Sequence, residues 1–238
     1  MKNVRLYNDD CYKALDELEK ENVKVDLVLT DPPYYIDTTN AKKKKVSSRI
    51  DKSAGLSAEQ LSFVADGFDY KKLYSKIEKL QDKVNVVMFC CNDQVGELQT
   101  FFTSKGLNVD ICVWNKYNAM PIANGHILND AEYIVVAREK GATWNNDCPL
   151  DFKRRIFTEP LVSNKFHPCE KPLSILNKLV LLYSKPNATI LDPFMGSGTT
   201  GISAVKNDRD FIGIELVEKY CDIARVRIDN ENRQQRLF

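Results

Sequence analysis

The chain has 238 residues, of which 43% are hydrophobic and 28% charged, and its formal net charge is +1. This composition is typical of one large globular domain, and it excludes a polycation that would hold nucleic acid by its total charge. The sequence contains no long apolar run and no targeting signal, so we expect a cytoplasmic protein without a membrane partner. The seven cysteines include no Cys-x-x-Cys pair, which argues against a disulfide scaffold and a zinc site.

Predicted strands and helices alternate along the chain. Strands are short runs of aliphatic and β-branched residues, whereas helices repeat apolar residues every three to four positions. The predicted strands are Val4–Tyr7, Val25–Leu29, Val84–Phe89, Val109–Trp114, Ala131–Ala137, Thr189–Leu191 and Phe211–Glu215. The predicted helices are Tyr12–Lys20, Ser57–Asp66, Tyr70–Leu80, Gln94–Ser104, Leu173–Tyr183, one that follows Gly201 to about Lys206, and Val217–Glu231. This alternation is typical of an α/β fold with a mainly parallel sheet.

A stiff acidic turn, Asp31-Pro32-Pro33-Tyr34, follows the second predicted strand. The prolines lack the N–H groups that a central strand needs, so the chain must leave the sheet at Asp31. An acid and an aromatic ring are thereby fixed at the carboxyl edge of a sheet, where open α/β folds bind ligands. Taken alone, this sequence fits an ordinary strand-ending turn equally well.

Positive charge is concentrated in two short blocks. Such blocks are commonly solvated surface, but in a nearly neutral chain they also suit a local phosphate-binding surface. The first block lies in a long polar stretch, about residues 36–56, that follows Tyr34. The two blocks are Lys42, Lys43, Lys44 and Lys45 with nearby Arg49, and Lys153, Arg154 and Arg155.

A glycine-rich stretch, Gly196-Ser197-Gly198-Thr199-Thr200-Gly201, lies between a predicted strand and a predicted helix. Glycines allow a ligand to approach the backbone, and free N–H groups at a helix start favour an anionic group. Glu215 ends the next strand, where an acid can bind both hydroxyls of a ribose. The glycines alone are a weak signal, but in this context they indicate a site for an adenosine-containing cofactor.

The residues just before these glycines bear on which cofactor binds. Asp192-Pro193-Phe194 places a carboxylate where the pyrophosphate of a nicotinamide cofactor would be repelled. A carboxylate there suits a ligand with an ammonium group, and S-adenosylmethionine carries one together with a ribose. The pattern therefore favours this methyl donor over NAD.

Three motifs together resemble the amino-methylating DNA methyltransferases, which act on adenine N6 or cytosine N4. They are Asp31-Pro-Pro-Tyr34, His167-Pro-Cys-Glu-Lys-Pro172 and Asp192-Pro-Phe-x-Gly-Ser-Gly-Thr-Thr200, in the order of the β-group. The resemblance covers nearly the whole chain and implies a single domain over residues 1–238. Its fold would be a doubly wound α/β methyltransferase fold with a mainly parallel, circularly permuted, seven-stranded sheet. Val4–Tyr7 would then lie beside the strand that ends at Glu215.

The resemblance also implies roles for individual residues. In the catalytic turn Asp31-Pro32-Pro33-Tyr34, the Asp31 carboxylate and the Pro32 carbonyl would accept hydrogen bonds from the target amine of a flipped adenine, and Tyr34 would stack on the base. Glu215 would bind the cofactor ribose. The other implied cofactor contacts are Asp10 and Cys11 near the adenine, Asp192, Pro193 and Phe194 near the methionine, Gly196 and Gly198 in the loop, and Ser197, Thr199, Thr200 and Lys171 at the carboxylate.

The implied partner is DNA, and both basic blocks are expected to contact its phosphates. The loop at about 36–56 is expected to be mobile without DNA, and target recognition is expected in a small segment at about 138–166. A homodimer and a cognate restriction enzyme are further partners that the resemblance allows.

Several alternatives stay open on the sequence. Asp31 favours adenine N6 over cytosine N4, because the N4 enzymes more often resemble Ser-Pro-Pro-Tyr, but it does not decide between them. An NAD-dependent oxidoreductase is disfavoured by Asp192. A non-catalytic DNA-binding protein with the same fold is disfavoured by the intact Asp31–Tyr34 turn.

Overall fold

The computed structural model describes residues 1–33, 68–119, 127–162 and 170–234. In these ranges the chain forms a doubly wound α/β fold, with an eight-stranded sheet between two layers of helices. The strands are β1 (Val4–Asn8), β2 (Leu27–Thr30), β3 (Asn85–Cys90), β4 (Asn108–Asn115), β5 (Ala131–Arg138), β6 (Ile156–Thr158), β7 (Thr189–Asp192) and β8 (Asp210–Glu215). The helices are α1 (Cys11–Lys20), α2 (Tyr70–Ile77), α3 (Asn92–Ser104), α4 (Leu173–Tyr183), α5 (Thr199–Lys206) and α6 (Glu218–Gln234). Two 3₁₀ turns, Glu78–Leu80 and Leu150–Lys153, complete the described elements.

The strand order in the sheet is β1-β8-β7-β2-β3-β5-β4-β6. Strand β5 runs antiparallel to both of its neighbours, and every other neighbouring pair is parallel. The central strands are covered on both faces, which explains why β2 and β3 are unbroken apolar runs rather than alternating ones.

Each face of the sheet has its own hydrophobic core. Successive residues of a strand point to opposite faces, so Val87 and Phe89 of β3 pack with α4, α5 and α6. Val86 and Met88, their neighbours in sequence, pack with α1, α2 and α3 on the other face. The helices therefore cover both sides, as a mainly parallel sheet requires.

The predicted strands are confirmed within two residues and the predicted helices of the described ranges within three, and β1 lies beside β8 as expected, with Tyr7 opposite Ile214. The sheet differs from the expected seven strands by the addition of β6. This strand pairs with the end of β4, Val113 opposite Ile156, and three residues are too few for a periodic pattern. The circular permutation stays an interpretation of the strand order, and the predicted helix Ser57–Asp66 lies outside the described residues.

The carboxyl edge of the sheet gathers the ends of β2, β7 and β8 and the start of the antiparallel β5. As a result, Asp31, Asp192, Glu215 and Glu132 lie along one edge, although the chain separates them widely. In open α/β folds this edge is the ligand-binding side. Among the described helices, none has the length and apolar character needed to cross a membrane.

Candidate active site

The acidic turn leaves the sheet directly after β2, as the prolines predict. Pro32 is buried, whereas the side chain of Asp31 is 25% exposed. Oδ2 of Asp31 lies 2.6 Å from Nζ of Lys171, a residue that directly precedes Pro172 and α4. Tyr34 lies outside the described residues, so its predicted stacking role stays a prediction.

Lys171 is part of a chain of four charges, of which the two lysines are buried. Its Nζ is also 3.0 Å from Oε2 of Glu132, and Oε1 of Glu132 lies 2.8 Å from Nζ of Lys116. Burial alone would raise the pKa of the Glu132 carboxyl, but the two ammonium groups outweigh burial and hold that pKa below its usual value. Glu132, whose side chain is 19% exposed, is therefore a carboxylate that stays ionised at neutral pH.

A hydrogen bond joins the acidic turn to the neighbouring segment of residues 192–201, which contains the glycine-rich stretch and is called the cofactor loop below. The hydroxyl of Thr30, the last residue of β2, donates to Oδ1 of Asp192 at 2.7 Å, and the backbone N–H of Phe194 donates to the same oxygen at 3.1 Å. Asp192 is 2% exposed, and burial raises the pKa of its carboxyl to about 6 in spite of these hydrogen bonds. The two sequence motifs, far apart in the chain, thus meet at adjacent strand ends.

Glu215 supports the glycine-rich loop from the end of β8. Its Oε2 accepts from the N–H of Gly196 at 3.0 Å, and its Oε1 accepts from the N–H of Val217 at 2.9 Å. Burial raises the pKa of this carboxyl to about 7, because these backbone hydrogen bonds offset only part of the lost solvation. The side chain of Asn8 donates to the Glu215 carbonyl oxygen at 2.9 Å, which ties β1 to the same site.

Gly198 is needed at its position for two reasons. Its φ is +83°, in the left-handed region, and a Cβ there would lie 2.8 Å from Cβ of Ala224 on α6. The loop can therefore rest against α6 only without a side chain at this residue.

The three hydroxyls predicted to bind the cofactor carboxylate all contact protein groups. Ser197 accepts from the Arg227 guanidinium at 2.8 Å, and Thr199 donates to Oε1 of Glu170 at 3.1 Å. The Thr200 hydroxyl hydrogen-bonds to the Asp192 carboxylate. Arg227 and Glu170 are themselves an ion pair, with 2.5 Å between Nη2 and Oε1. These contacts hold the loop, and the predicted contacts to the cofactor stay predictions.

The remaining predicted residues fall at the same edge or at its rim. Asp10 accepts from the N–H groups of Tyr12 and Lys13 and so caps α1, while Cys11 is buried and burial raises the pKa of its thiol to about 12. The ring of Phe194 packs edge-on against Phe68, with 5.7 Å between centroids. Pro193 is buried beside it.

The second basic block has partners within the protein. Lys153 donates to the carbonyl oxygen of Asn146 at 2.6 Å, Arg154 pairs with Asp151, and Arg155 pairs with Asp110. Arg155 directly precedes β6, so this block lies some residues before the carboxyl edge. Its contact with DNA stays a prediction, as does that of Lys42, Lys43, Lys44, Lys45 and Arg49, which lie outside the described residues.

Five residues of the site escape sequence reasoning: Thr30, Lys116, Glu132, Glu170 and Arg227. Glu132 does give a signal, since it is a charged residue at the start of an otherwise apolar strand. However, the first residue of a strand lies at the functional edge only if that strand runs antiparallel to its neighbours. The antiparallel direction of β5 is visible only in the tertiary structure.

Comparison with known proteins identifies the family. The sequence profile of the DNA methylase family N6_N4_Mtase matches residues 25–226, most of the chain and all three motifs. The chain belongs to this family. This methylase is 27% identical to the Type II methyltransferase M2.LlaDCHI of Lactococcus lactis subsp. cremoris, over 95% of its own length and 90% of that relative.

Solved structures show the same fold. The crystal structure of the M1.HpyAVI–SAM complex has a TM-score of 0.69 and 27% sequence identity, covering 94% of the methylase and 99% of that chain. The cytosine-N4-specific PvuII DNA methyltransferase has a TM-score of 0.67 at 15% identity, covering 98% of the methylase and 93% of that chain. The second likeness concerns the fold alone.

Proposed function

We propose that this methylase transfers a methyl group from S-adenosylmethionine to the N6 amine of an adenine in DNA. The observation that supports this best is the Thr30–Asp192 hydrogen bond at 2.7 Å, because it fixes the acidic turn of β2 beside the glycine-rich loop after β7. An acceptor for an amine and a loop suited to an adenosine-containing ligand are thereby adjacent. Family membership and the likeness to a solved SAM complex support the same proposal.

The residues present fit this cofactor. Glu215 offers a half-buried carboxylate beside the N–H of Gly196, which suits ribose hydroxyls, and the Gly198 position excludes any side chain. Asp192 offers the carboxylate that an ammonium group would favour, and Phe194 an apolar surface. S-adenosylmethionine, when bound, would supply an electrophilic methyl group on a sulfonium.

The protein's task is to prepare the amine. The lone pair of adenine N6 is delocalised into the ring, so the amine is a poor nucleophile until its hydrogens are held by acceptors. We propose that the Asp31 carboxylate and the Pro32 carbonyl are those acceptors, which favours a tetrahedral nitrogen. A carbon–nitrogen bond then forms as the sulfur–carbon bond breaks, and the surplus proton leaves the nitrogen to Asp31 or to water.

Cytosine N4 is the second candidate acceptor. It presents the same kind of exocyclic amine, and the fold is shared with a cytosine-N4-specific enzyme, so the fold does not discriminate. The acid at position 31 is what favours adenine.

The test is direct. Protein, DNA and S-adenosylmethionine labelled in the methyl group are incubated, and the DNA is digested to nucleosides. We expect label in N6-methyladenine. Label in N4-methylcytosine would identify cytosine N4, rather than adenine N6, as the acceptor. The absence of label from DNA would overturn the proposal. Asp31→Asn should lower transfer by about 100-fold or more, since one oxygen acceptor is removed at the reacting amine, while cofactor binding persists.

DNA is the partner in this proposal. A homodimer, a cognate restriction enzyme and a cytoplasmic location stay predictions from the family resemblance, as does target recognition by residues 138–166.

A further inference from the structure

The ammonium group of Lys171 lies between two carboxylates. It contacts Asp31 at 2.6 Å and Glu132 at 3.0 Å, and the Lys171 side chain is only 7% exposed. Lys116, 6% exposed, holds the other oxygen of Glu132 at 2.8 Å. Four separate segments thus supply one chain of two positive and two negative charges.

The sheet fixes the position of Glu132, and Asp31 is the most exposed member of the chain of charges. Glu132 lies opposite Trp114 in the β4–β5 ladder, so its position is set by the sheet. Aromatic rings border both ammonium groups: Nζ of Lys171 is 5.4 Å from the centre of the Phe89 ring, and Nζ of Lys116 is 5.1 Å from that of Trp114. Asp31, at 25% exposure, is the member that a substrate can reach most readily.

Stability alone is a weak reason for such a chain. Buried ion pairs lose solvation on folding, and well-packed apolar residues commonly serve a core as well or better. A fixed cation beside Asp31, by contrast, has a direct effect on what that carboxylate can do.

We propose that Glu132 is a positioning residue: it holds Lys171 in place, and the Lys171 ammonium in turn orients the Asp31 carboxylate toward the target amine and keeps it ionised. This inference rests on the proposed function, in which Asp31 accepts a hydrogen bond from that amine. An ionised carboxylate accepts through both oxygens, whereas protonation turns one of them into a donor. Lys116 completes the device by holding Glu132.

The groups that face Asp31 predict opposite effects for two neutral substitutions. Lys171 and Glu132 belong to its chain of charges, Asp192 lies at the adjacent end of β7, and Cys90 at the end of β3 is a thiol whose pKa burial raises to about 12. Glu132→Gln removes a negative charge, so the titration midpoint of Asp31 should fall. Lys171→Met removes a positive charge, so the midpoint should rise. We expect a shift of about 1 pH unit in each direction.

The measurement is carbon-13 NMR of protein labelled at aspartate carboxyl groups, with Asp31 assigned by the signal that Asp31→Asn removes. Lys76→Met is the matched control, because Lys76 pairs with Asp16 between α1 and α2, on elements outside this chain of charges. It should leave the Asp31 midpoint unchanged. Shifts of the same sign in both test variants, or no shift, would overturn the inference. If circular dichroism shows that Lys171→Met does not fold, two other variants still test the inference. Glu132→Gln should lower the Asp31 midpoint, and Lys171→Arg, which preserves the charge, should leave it unchanged.

Single-turnover methyl transfer supplies the second readout. Glu132→Gln should lower the rate about 100-fold through misplacement of Asp31, with DNA and cofactor dissociation constants unchanged. Glu132→Asp should recover part of the rate. If the wild-type protein is active and Glu132→Gln transfers methyl at the same rate, the positioning role is rejected. Inactive wild-type protein would reject the proposed function instead, and the NMR titration would still judge the effect of Glu132 on Asp31.

Discussion

Burial has opposite outcomes at the carboxyl groups of this edge. At Glu132 two lysines compensate for lost solvation, and the pKa falls. At Glu215 backbone N–H groups compensate only in part, and burial raises the pKa to about 7. The first group is therefore an anion at neutral pH, whereas the second is expected to change its charge near pH 7. Such a perturbed carboxyl is typical of a binding site rather than of a structural ion pair.

This difference predicts how cofactor binding depends on pH. If the Glu215 carboxylate accepts the ribose hydroxyls, binding requires its ionised form, which becomes scarce as the pH falls below about 7. The dissociation constant for S-adenosylmethionine should therefore rise by up to about tenfold per pH unit below that value. Calorimetric titration between pH 5 and 8 measures it.

Glu215→Gln should weaken binding at pH 8 and remove this pH dependence. Glu17→Gln, on the exposed face of α1, is the control and should retain the wild-type profile. An unchanged affinity from pH 8 to pH 6 would contradict the ribose role.

The same raised pKa also affects stability, with a sign opposite to that of the usual carboxylate. The contribution of Glu215 to the free energy of unfolding is greatest at low pH and is lost as the pH rises through about 7.

Helix α6 fixes the cofactor loop by close packing and by one guanidinium. Gly198 rests on Ala224, and one turn later Arg227 reaches both the hydroxyl and the carbonyl oxygen of Ser197, at 2.8 Å each. Glu170, beside Lys171 in the chain, completes this arrangement through its ion pair with Arg227. The segment before α4 thus serves both halves of the site, with Glu170 at the cofactor loop and Lys171 at Asp31.

A substitution at Gly198 should break this packing. Gly198→Ala introduces a methyl group 2.8 Å from Cβ of Ala224 and forces a left-handed conformation on alanine. Left-handed strain and overpacking together should lower the free energy of unfolding by about 2–5 kcal/mol, and cofactor binding should weaken with it. Urea unfolding measures the first and calorimetry the second.

Gly96→Ala in α3 is the matched control. A Cβ at Gly96 would meet nothing within 4 Å, and its φ is not in the left-handed region. Alanine is the better helix former, so this variant should gain about 0.5–1 kcal/mol. Equal stability of the two variants would show that the close approach of the loop to α6 is not required.

The net charge of +1 conceals two local blocks of positive charge. The second basic block is paired internally at each of its three residues. The first block follows the acidic turn in the chain and adds four lysines in a row. If both blocks contact DNA, the first should contribute more of the electrostatic binding energy.

Replacement of Lys42–Lys45 by glutamine should therefore change how DNA affinity depends on salt. The slope of log affinity against log salt falls by about 0.9 for each phosphate that the protein no longer neutralises, so we expect a decrease of about 3–4. The matched replacement of Lys153–Arg155 should give a smaller decrease. Fluorescence anisotropy with a labelled duplex at several salt concentrations measures both slopes. An unchanged slope in the first variant would reject that block as a DNA-binding element.

Local sequence determined most of the elements and both main motifs of the site. Unbroken apolar runs specify buried strands, Pro32 and Pro33 end β2 just before Asp31, and the glycines specify the loop before α5. Each of these effects acts within a few residues, so it is visible without the fold. Strand β6 escaped because three residues have no period, and its place depends on pairing with β4.

What the tertiary structure alone decided is the environment of Asp31. The family resemblance implies that Lys171 pairs with the cofactor carboxylate, but in the structure its ammonium lies on Asp31 and Glu132. That arrangement requires β5 to run antiparallel and to start at the functional edge, and long-range pairing has no local signature. The identity of the acid was therefore in the sequence, and the charges that govern it were in the fold.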